Sequence, residues 1–260
     1  MILRKLADAI RSQNWFTVII EIFIVVIGIF LGLQVTEWNK SRLEGQQSKL
    51  FTQRLIADLQ ENAWDYQYQI EYYGDVLDNA NLALSVLDGR EEATDEALLI
   101  AAFRATQYTF FDVRRATFDE LTSTGTLGLI TDQALRLTAM RVYASSTFDL
   151  IDSGGATSKY REQFRMITPI DIQHVLTKKC GDRLVEPFEY DDLADTLDYP
   201  CETGLPKEAI AGAARAIREN PMMIKFLRLR AANLHSDLAT LVGLDPEIYD
   251  GLKAIRDGKP

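Results

Sequence analysis

Few side chains in this chain could do chemistry. His174 and His235 are the only histidines, and neither has a second histidine or a cysteine at metal-ligand spacing. The run Asp152-Ser153-Gly154-Gly155 resembles the nucleophile region of chymotrypsin-like proteases. That fold is all-β and pairs its serine with a histidine, whereas this stretch reads as a break between helices, its paired glycines marking a helix end or hinge. Phosphate-loop, dinucleotide-binding and nucleophile-elbow patterns are missing. Glu186, Glu189, Asp191, Asp192, Asp195 and Asp198 could offer oxygens to Ca²⁺, but without the alternating ligands and central glycine of an EF-hand they read as a solvated acidic loop. This inventory assigns no catalytic residue, metal or cofactor, and the chain reads as a non-enzyme.

The remaining candidate is a carboxylate inside hydrocarbon. Between Phe16 and Val35 the strongly polar residues are Thr17, Glu21 and Gln34, and fifteen positions are Val, Ile, Leu or Phe. About 20 such residues at roughly 1.5 Å each match a bilayer core of about 30 Å. At roughly −0.3 to −0.6 kcal/mol apiece, the apolar positions outweigh the roughly +2.5 to +3.5 kcal/mol of one central charge. Trp15 and Trp38 bracket the span where indole rings anchor at the headgroups. A cleaved signal peptide would have a shorter core and a small-x-small cleavage site. This core instead runs into "QVTEWNKSR", so it reads as an uncleaved signal anchor at 15–38.

Steps of four, three and four from Glu21 reach Val25, Gly28 and Gly32 on one helical face. Gly28-x-x-x-Gly32 is the spacing that lets two membrane helices approach closely. Three readings of Glu21 stay open on these residues: a carboxylate bending toward the interface, a paired or protonated group joining an oligomer or a partner helix, and a proton-handling site.

The elements around this span follow from periodicity and charge. Residues 1–14 read as a cytoplasmic amphipathic segment, with Ile2, Leu3, Leu6, Ala9 and Ile10 on one face. Three basic residues precede the span and four follow it closely, so positive-inside counting does not orient it. The net charge of −10 excludes nucleic acid and anionic lipid as natural partners. Cys180 and Cys201 suit one disulfide in an oxidising compartment, which favours a cytoplasmic N-terminus and a periplasmic main domain.

That main domain, 39–250, reads as an all-α bundle. Phe51, Leu55, Leu59, Tyr66, Ile70, Tyr73, Leu77, Ala80, Leu84 and Leu87 form the seam of a long helix that continues from the span, stands tens of ångströms off the bilayer and ends at Gly89. Later helix starts are expected at Thr94, at a capping box Thr117-x-x-Glu120, at Asp132 through Phe148, and at Asn220-Pro221, with a short turn at Asp245-Pro246. A cysteine-bounded loop occupies 178–206, and 251–260 read as a tail.

Two segments resemble a family of uncharacterised bacterial single-pass inner-membrane proteins. In "NWFTVIIEIFIVVIGIFLGLQVTEWN" the matching positions include Asn14, Trp15, Glu21, Gly28, Gly32, Gln34, Trp38 and Asn39. In "TFDELTSTGTLGLITDQALRLTAMRVY" they include Phe118, Leu121, Gly125, Leu127, Ile130, Leu135 and Tyr143. The resemblance covers about a fifth of the chain and implies an inner-membrane location without an activity. In outline alone, the chain is also similar to the proton-coupled ExbD, TolR and MotB proteins, which carry an aspartate in the span and a different exported fold.

The function expected from these readings is a membrane-anchored helical scaffold or sensor, a non-enzymatic subunit of an inner-membrane assembly. Its partners would be the bilayer and, through Gly28 and Gly32, a second copy or another membrane protein. A proton-coupled subunit using Glu21 is the alternative, and a periplasmic hydrolase the third reading.

Overall fold

A computed structural model describes residues 15–110, 112–190, 193, 196–244 and 246–258. Among them the structure is all-α and no strand forms, as the periodicity predicts. The chain divides into two units, Met1–Thr52 and Gln53–Pro260. The amphipathic segment expected over 1–14 lies outside the described residues.

The first helix, α1 (Trp15–Leu87), is a continuous 73 residues. Beyond Gln53 it buries Leu55, Leu59, Tyr66, Tyr73, Ala80 and Leu84 of the expected seam, while Ile70, Leu77 and Leu87 are half-buried. Asn62, Gln69, Tyr72 and Val76 are buried as well, so the covered face is wider than an apolar stripe and includes polar groups. The helix ends where glycine allows it. Gly89 takes φ +70°, and the N–H of Arg90 donates to the Ser85 carbonyl at 2.8 Å, closing the last turn.

Among the described residues nine shorter α-helices follow: α2 (Asp95–Arg104), α3 (Ala116–Ser123), α4 (Gln133–Ala144), α5 (Thr147–Ala156), α6 (Lys159–Ile167), α7 (Ile170–Cys180), α8 (Lys207–Glu219), α9 (Pro221–Ala239) and α10 (Pro246–Arg256). Three caps form as the sequence reads. The side chains of Thr94, Asp132 and Asn220 accept the N–H groups of Ala97, Leu135 and Met222, respectively.

Other boundaries differ from these expectations. No capping box forms at Thr117, because α3 begins one residue earlier and the Thr117 N–H donates to Asp58 on α1 at 3.1 Å. The helix opened by Asp132 stops at Ala144, so Phe148 belongs to α5. Asp152–Gly155 lies within α5 instead of between helices. The short turn expected at Asp245-Pro246 is an 11-residue helix that runs through Gly251 into the expected tail. Gly251 lets α10 approach α4 closely, since a Cβ there would lie 2.7 Å from Thr138 Oγ1.

The main core gathers Ala80 and Leu84 of α1, Leu98 and Phe103 of α2, Tyr160 and Phe164 of α6, Leu176 of α7, Ile217 of α8 and Leu227 of α9. Asn62, fully buried, ties α1 to the segment before α3. Its Nδ2 donates to the Arg114 carbonyl at 2.9 Å, and its Oδ1 accepts the Arg114 N–H at 2.8 Å. Tyr143 adds its own hydroxyl bond to the same carbonyl at 2.7 Å. Removing Asn62 strands a backbone donor beneath the surface, so Asn62→Ala should destabilise the bundle by about 2–3 kcal/mol in urea unfolding. A change below about 0.5 kcal/mol would contradict this role.

Candidate functional site

One helix among the described residues is long and apolar enough to cross a membrane, and it is the N-terminal part of α1. β-Branched and phenyl side chains cover that segment on every side, and none of its apolar window is buried. The helix is unbroken through Glu21, Val25, Gly28 and Gly32, which puts all four on one exposed face. Apart from the adjoining turns of its own helix, nothing described lies within 4 Å of where a Cβ would sit on Gly28 or Gly32, so that face is uncovered. Just beyond it, Thr36 Oγ1 donates to the Gly32 carbonyl at 2.9 Å. Trp15 opens α1, and Trp38 is exposed.

Within the unit from Gln53 onward, charge and aromaticity converge instead. Trp64, Tyr68 and Tyr72 recur every fourth residue of α1 and stack, with ring centroids 5.4 and 5.7 Å apart. Tyr73 meets Tyr72 edge-on at 5.5 Å. The Tyr72 hydroxyl donates to Asp182 Oδ1 at 3.0 Å, and burial, reinforced by that carboxylate, holds its phenol far above the ordinary range. Burial likewise pushes Tyr68 to about 12. These tyrosines stay protonated at physiological pH and serve as donors and ring faces.

Arginines pack onto those rings. Arg161 of α6 lies 4.6 Å from the Tyr108 ring centroid while its Nη1 donates to the Thr106 carbonyl at 3.0 Å. Glycine is required at 155 because Tyr108 is there: a Cβ would come within 2.7 Å of the tyrosine's own Cβ. Arg161 and Arg165, one turn apart, line a cavity of about 210 Å³ with Phe164 of the same helix and Gln173 and His174 of α7.

The cysteine-bounded loop has its own clamp. Cys180, the last residue of α7, is disulfide-bonded to Cys201, with Cα atoms 5.5 Å apart. Buried Arg104 donates through Nε to the Cys180 carbonyl at 3.1 Å and through Nη2 to the Tyr199 carbonyl at 2.9 Å. The Tyr199 ring sits 4.4 Å from the Arg104 guanidinium and 3.6 Å from that of Arg183. Of the acidic residues in this loop, Asp191, Asp192 and Asp195 lie outside the described residues, and Glu186 and Glu189 are exposed.

The structure does not bring the sequence candidates together into one site. Glu21, Val25, Gly28 and Gly32 belong to the Met1–Thr52 unit, whereas the disulfide and His174 belong to the other. His235 is exposed on α9. Sequence reasoning missed the arginines of the cavity. Their signal was present in "KYREQFR", where two like charges one turn apart flank an aromatic residue and repel unless something answers them.

Two carboxyls here carry a pH signature. Burial pushes Asp65 and Asp75 to about 6, above their ordinary value of 3.8, although Arg114 opposes the shift at Asp65 and the Leu197 N–H opposes it at Asp75. A raised folded-state pKa means that the fold takes up protons between about pH 4 and 6, so the destabilisation is full above pH 6 and relieved toward pH 4. Asp65→Asn should therefore gain about 1–2 kcal/mol at pH 7, after solvent screening, and nothing near pH 4. An equal gain at both pH values in urea unfolding would contradict the assignment. Reducing Cys180–Cys201 should cost about 3 kcal/mol in the same assay, and an unchanged midpoint would show the loop needs no staple.

No family model matches the chain, and neither a curated protein nor a solved structure matches it.

Proposed function

We propose that this chain is a membrane-anchored helical scaffold or sensor, a non-enzymatic subunit of an inner-membrane assembly. The observation that carries the reading is a helix whose apolar window is wholly uncovered, and which is continuous with the first helix of a folded bundle. A bilayer is the solvent that such a surface requires. In this reading residues 16–35 cross the membrane, the N-terminus is cytoplasmic and the bundle is periplasmic. The Cys180–Cys201 disulfide supports export, because oxidising compartments sustain such bonds. The open Gly28/Gly32 face supports association with a second copy or with another membrane helix.

A second reading rests on Glu21, the acid on that same face. A carboxyl in a membrane span that meets a partner helix can carry protons, making the chain a proton-coupled subunit.

Two variants separate these readings in a strain lacking the protein. Glu21→Gln keeps hydrogen bonding and cannot exchange a proton. The scaffold reading expects it to restore the wild-type phenotype, and loss of function with full membrane insertion would favour proton coupling. Gly28→Leu or Gly32→Leu should cut in-membrane cross-linking by about tenfold, the equivalent of about 1.4 kcal/mol of lost packing. Unchanged cross-linking would remove that face as an interface.

A further inference from the structure

The cavity between α6 and α7 has a composition at odds with the rest of the chain. The protein carries 38 acidic against 28 basic residues, yet the cavity lining holds Arg161, Arg165 and His174 and no Asp or Glu. Among the described residues, neither arginine has a carboxylate within ion-pairing distance, whereas Arg54, Arg114, Arg115, Arg141, Arg218 and Arg228 each do. The acid that influences Arg161 is Asp182, and that carboxylate already accepts the Tyr72 hydroxyl. Withdrawal from water and the neighbouring Arg165 both disfavour the Arg161 charge. Two positive groups are thus held together, one of them half-buried, and among the described residues neither is in an ion pair; Asp182 acts on Arg161 only from beyond ion-pairing distance.

Their geometry is prepared for an outside partner. Arg161 is fixed by the Thr106 carbonyl and the Tyr108 ring, and among the described residues the other N–H groups of its planar fork meet no acceptor. Gln173 is anchored through Nε2, which donates to the Arg165 carbonyl at 2.9 Å and the Thr168 carbonyl at 2.7 Å. Phe103, Phe164 and Ile170 give the cavity apolar walls beside its charged end. A volume of about 210 Å³ falls below the roughly 300 Å³ at which drug-sized pockets begin, so it suits a metabolite-sized molecule.

We propose that this cavity binds a small organic dianion, its carboxylate or phosphate groups taken by Arg161 and Arg165 and its carbon skeleton lying against Phe164 and Ile170. This deepens the sensor reading by naming a ligand class, and it rests on that reading only for its meaning in the cell. Guanidinium forks bind carboxylate and phosphate in a bidentate manner, and a desolvated, unpaired arginine gains most from such a partner.

The test is calorimetric titration of the full chain in nanodiscs of zwitterionic lipid, at low salt, with succinate, citrate, inorganic phosphate and glycerol phosphate, and with glucose as the neutral control. At least one anion should bind once per chain and glucose should not. Phosphate binding without succinate or citrate would assign the phosphate class, and the reverse would assign the carboxylates. Arg165→Gln, an exposed change that leaves the unfolding curve in place, should weaken binding by about tenfold or more. Arg161→Lys, which keeps the charge and loses the fork, should weaken it as well, and Lys207→Gln should leave it unchanged. No anion binding into the millimolar range, or wild-type affinity in both arginine variants, would overturn the proposal. Membrane retention is measured on the same preparations, so failure of binding with retention intact leaves the anchor standing.

Discussion

Fifteen aliphatic and phenyl side chains between Phe16 and Val35 must be kept from water, and the apolar window they form is not buried by any described part of the chain. At about 1.5–3 kcal/mol for each side chain left exposed, the hydration cost is on the order of tens of kcal/mol. No compact rearrangement of a bundle already packed around its own core would recover that. A bilayer would do so without asking the bundle to change, and would tolerate Glu21 because one carboxylate costs only a few kcal/mol against the summed gain of its neighbours. In the proposed membrane reading the same constraint gives meaning to Gly28 and Gly32. Inside lipid, apolar contact alone does not bring helices together, and close backbone approach at small residues becomes the available attraction.

The bundle solves a different problem, which is how to fill an interior with tyrosine, asparagine and arginine. Backbone carbonyls answer most of it. Arg104 is buried with no ion-pair partner among the described residues, and the Cys180 and Tyr199 carbonyls and the Tyr199 ring receive its guanidinium. Arg230 reaches the Gln107 carbonyl at 3.0 Å, and Tyr160 donates to that of Ala102 at 2.8 Å. Carbonyl acceptors stabilise a cation without burying a second formal charge, avoiding the desolvation of an ion pair. They also bind each donor to one particular backbone position, so these contacts specify how the loop bounded by Cys180 and Cys201 meets α2. Arg161 departs from this pattern, with one carbonyl, one ring and an open cavity.

Much of this was legible in the residues because it is local. The apolar window, the caps at Thr94, Asp132 and Asn220 and the glycine stop at Gly89 depend on neighbours within a few positions. The capping box at Thr117 failed because Asp58, fifty-nine residues away, supplies the acceptor, and no local pattern encodes that. Asn62 falls in the gap of the apolar seam between Leu59 and Tyr66, yet it is fully buried, since the Arg114 backbone, fifty-two residues away, answers its amide. Gly155 read as a helix end, and its reason is a tyrosine at 108 that only folding brings there. The arginine-lined cavity was the least legible feature. Its two arginines come from α6 and its other walls from α2 and α7, and what sets it apart is a lining without acids, which becomes visible only once the chain is assembled.

The central claim, that residues 16–35 form a permanent membrane span, is tested most directly by alkaline carbonate extraction of cell membranes combined with the intact mass of the recovered chain. The account predicts that the protein remains in the membrane pellet, is released by detergent and retains its first forty residues. Recovery in the carbonate supernatant, or a mature chain that begins beyond the apolar segment, would contradict it.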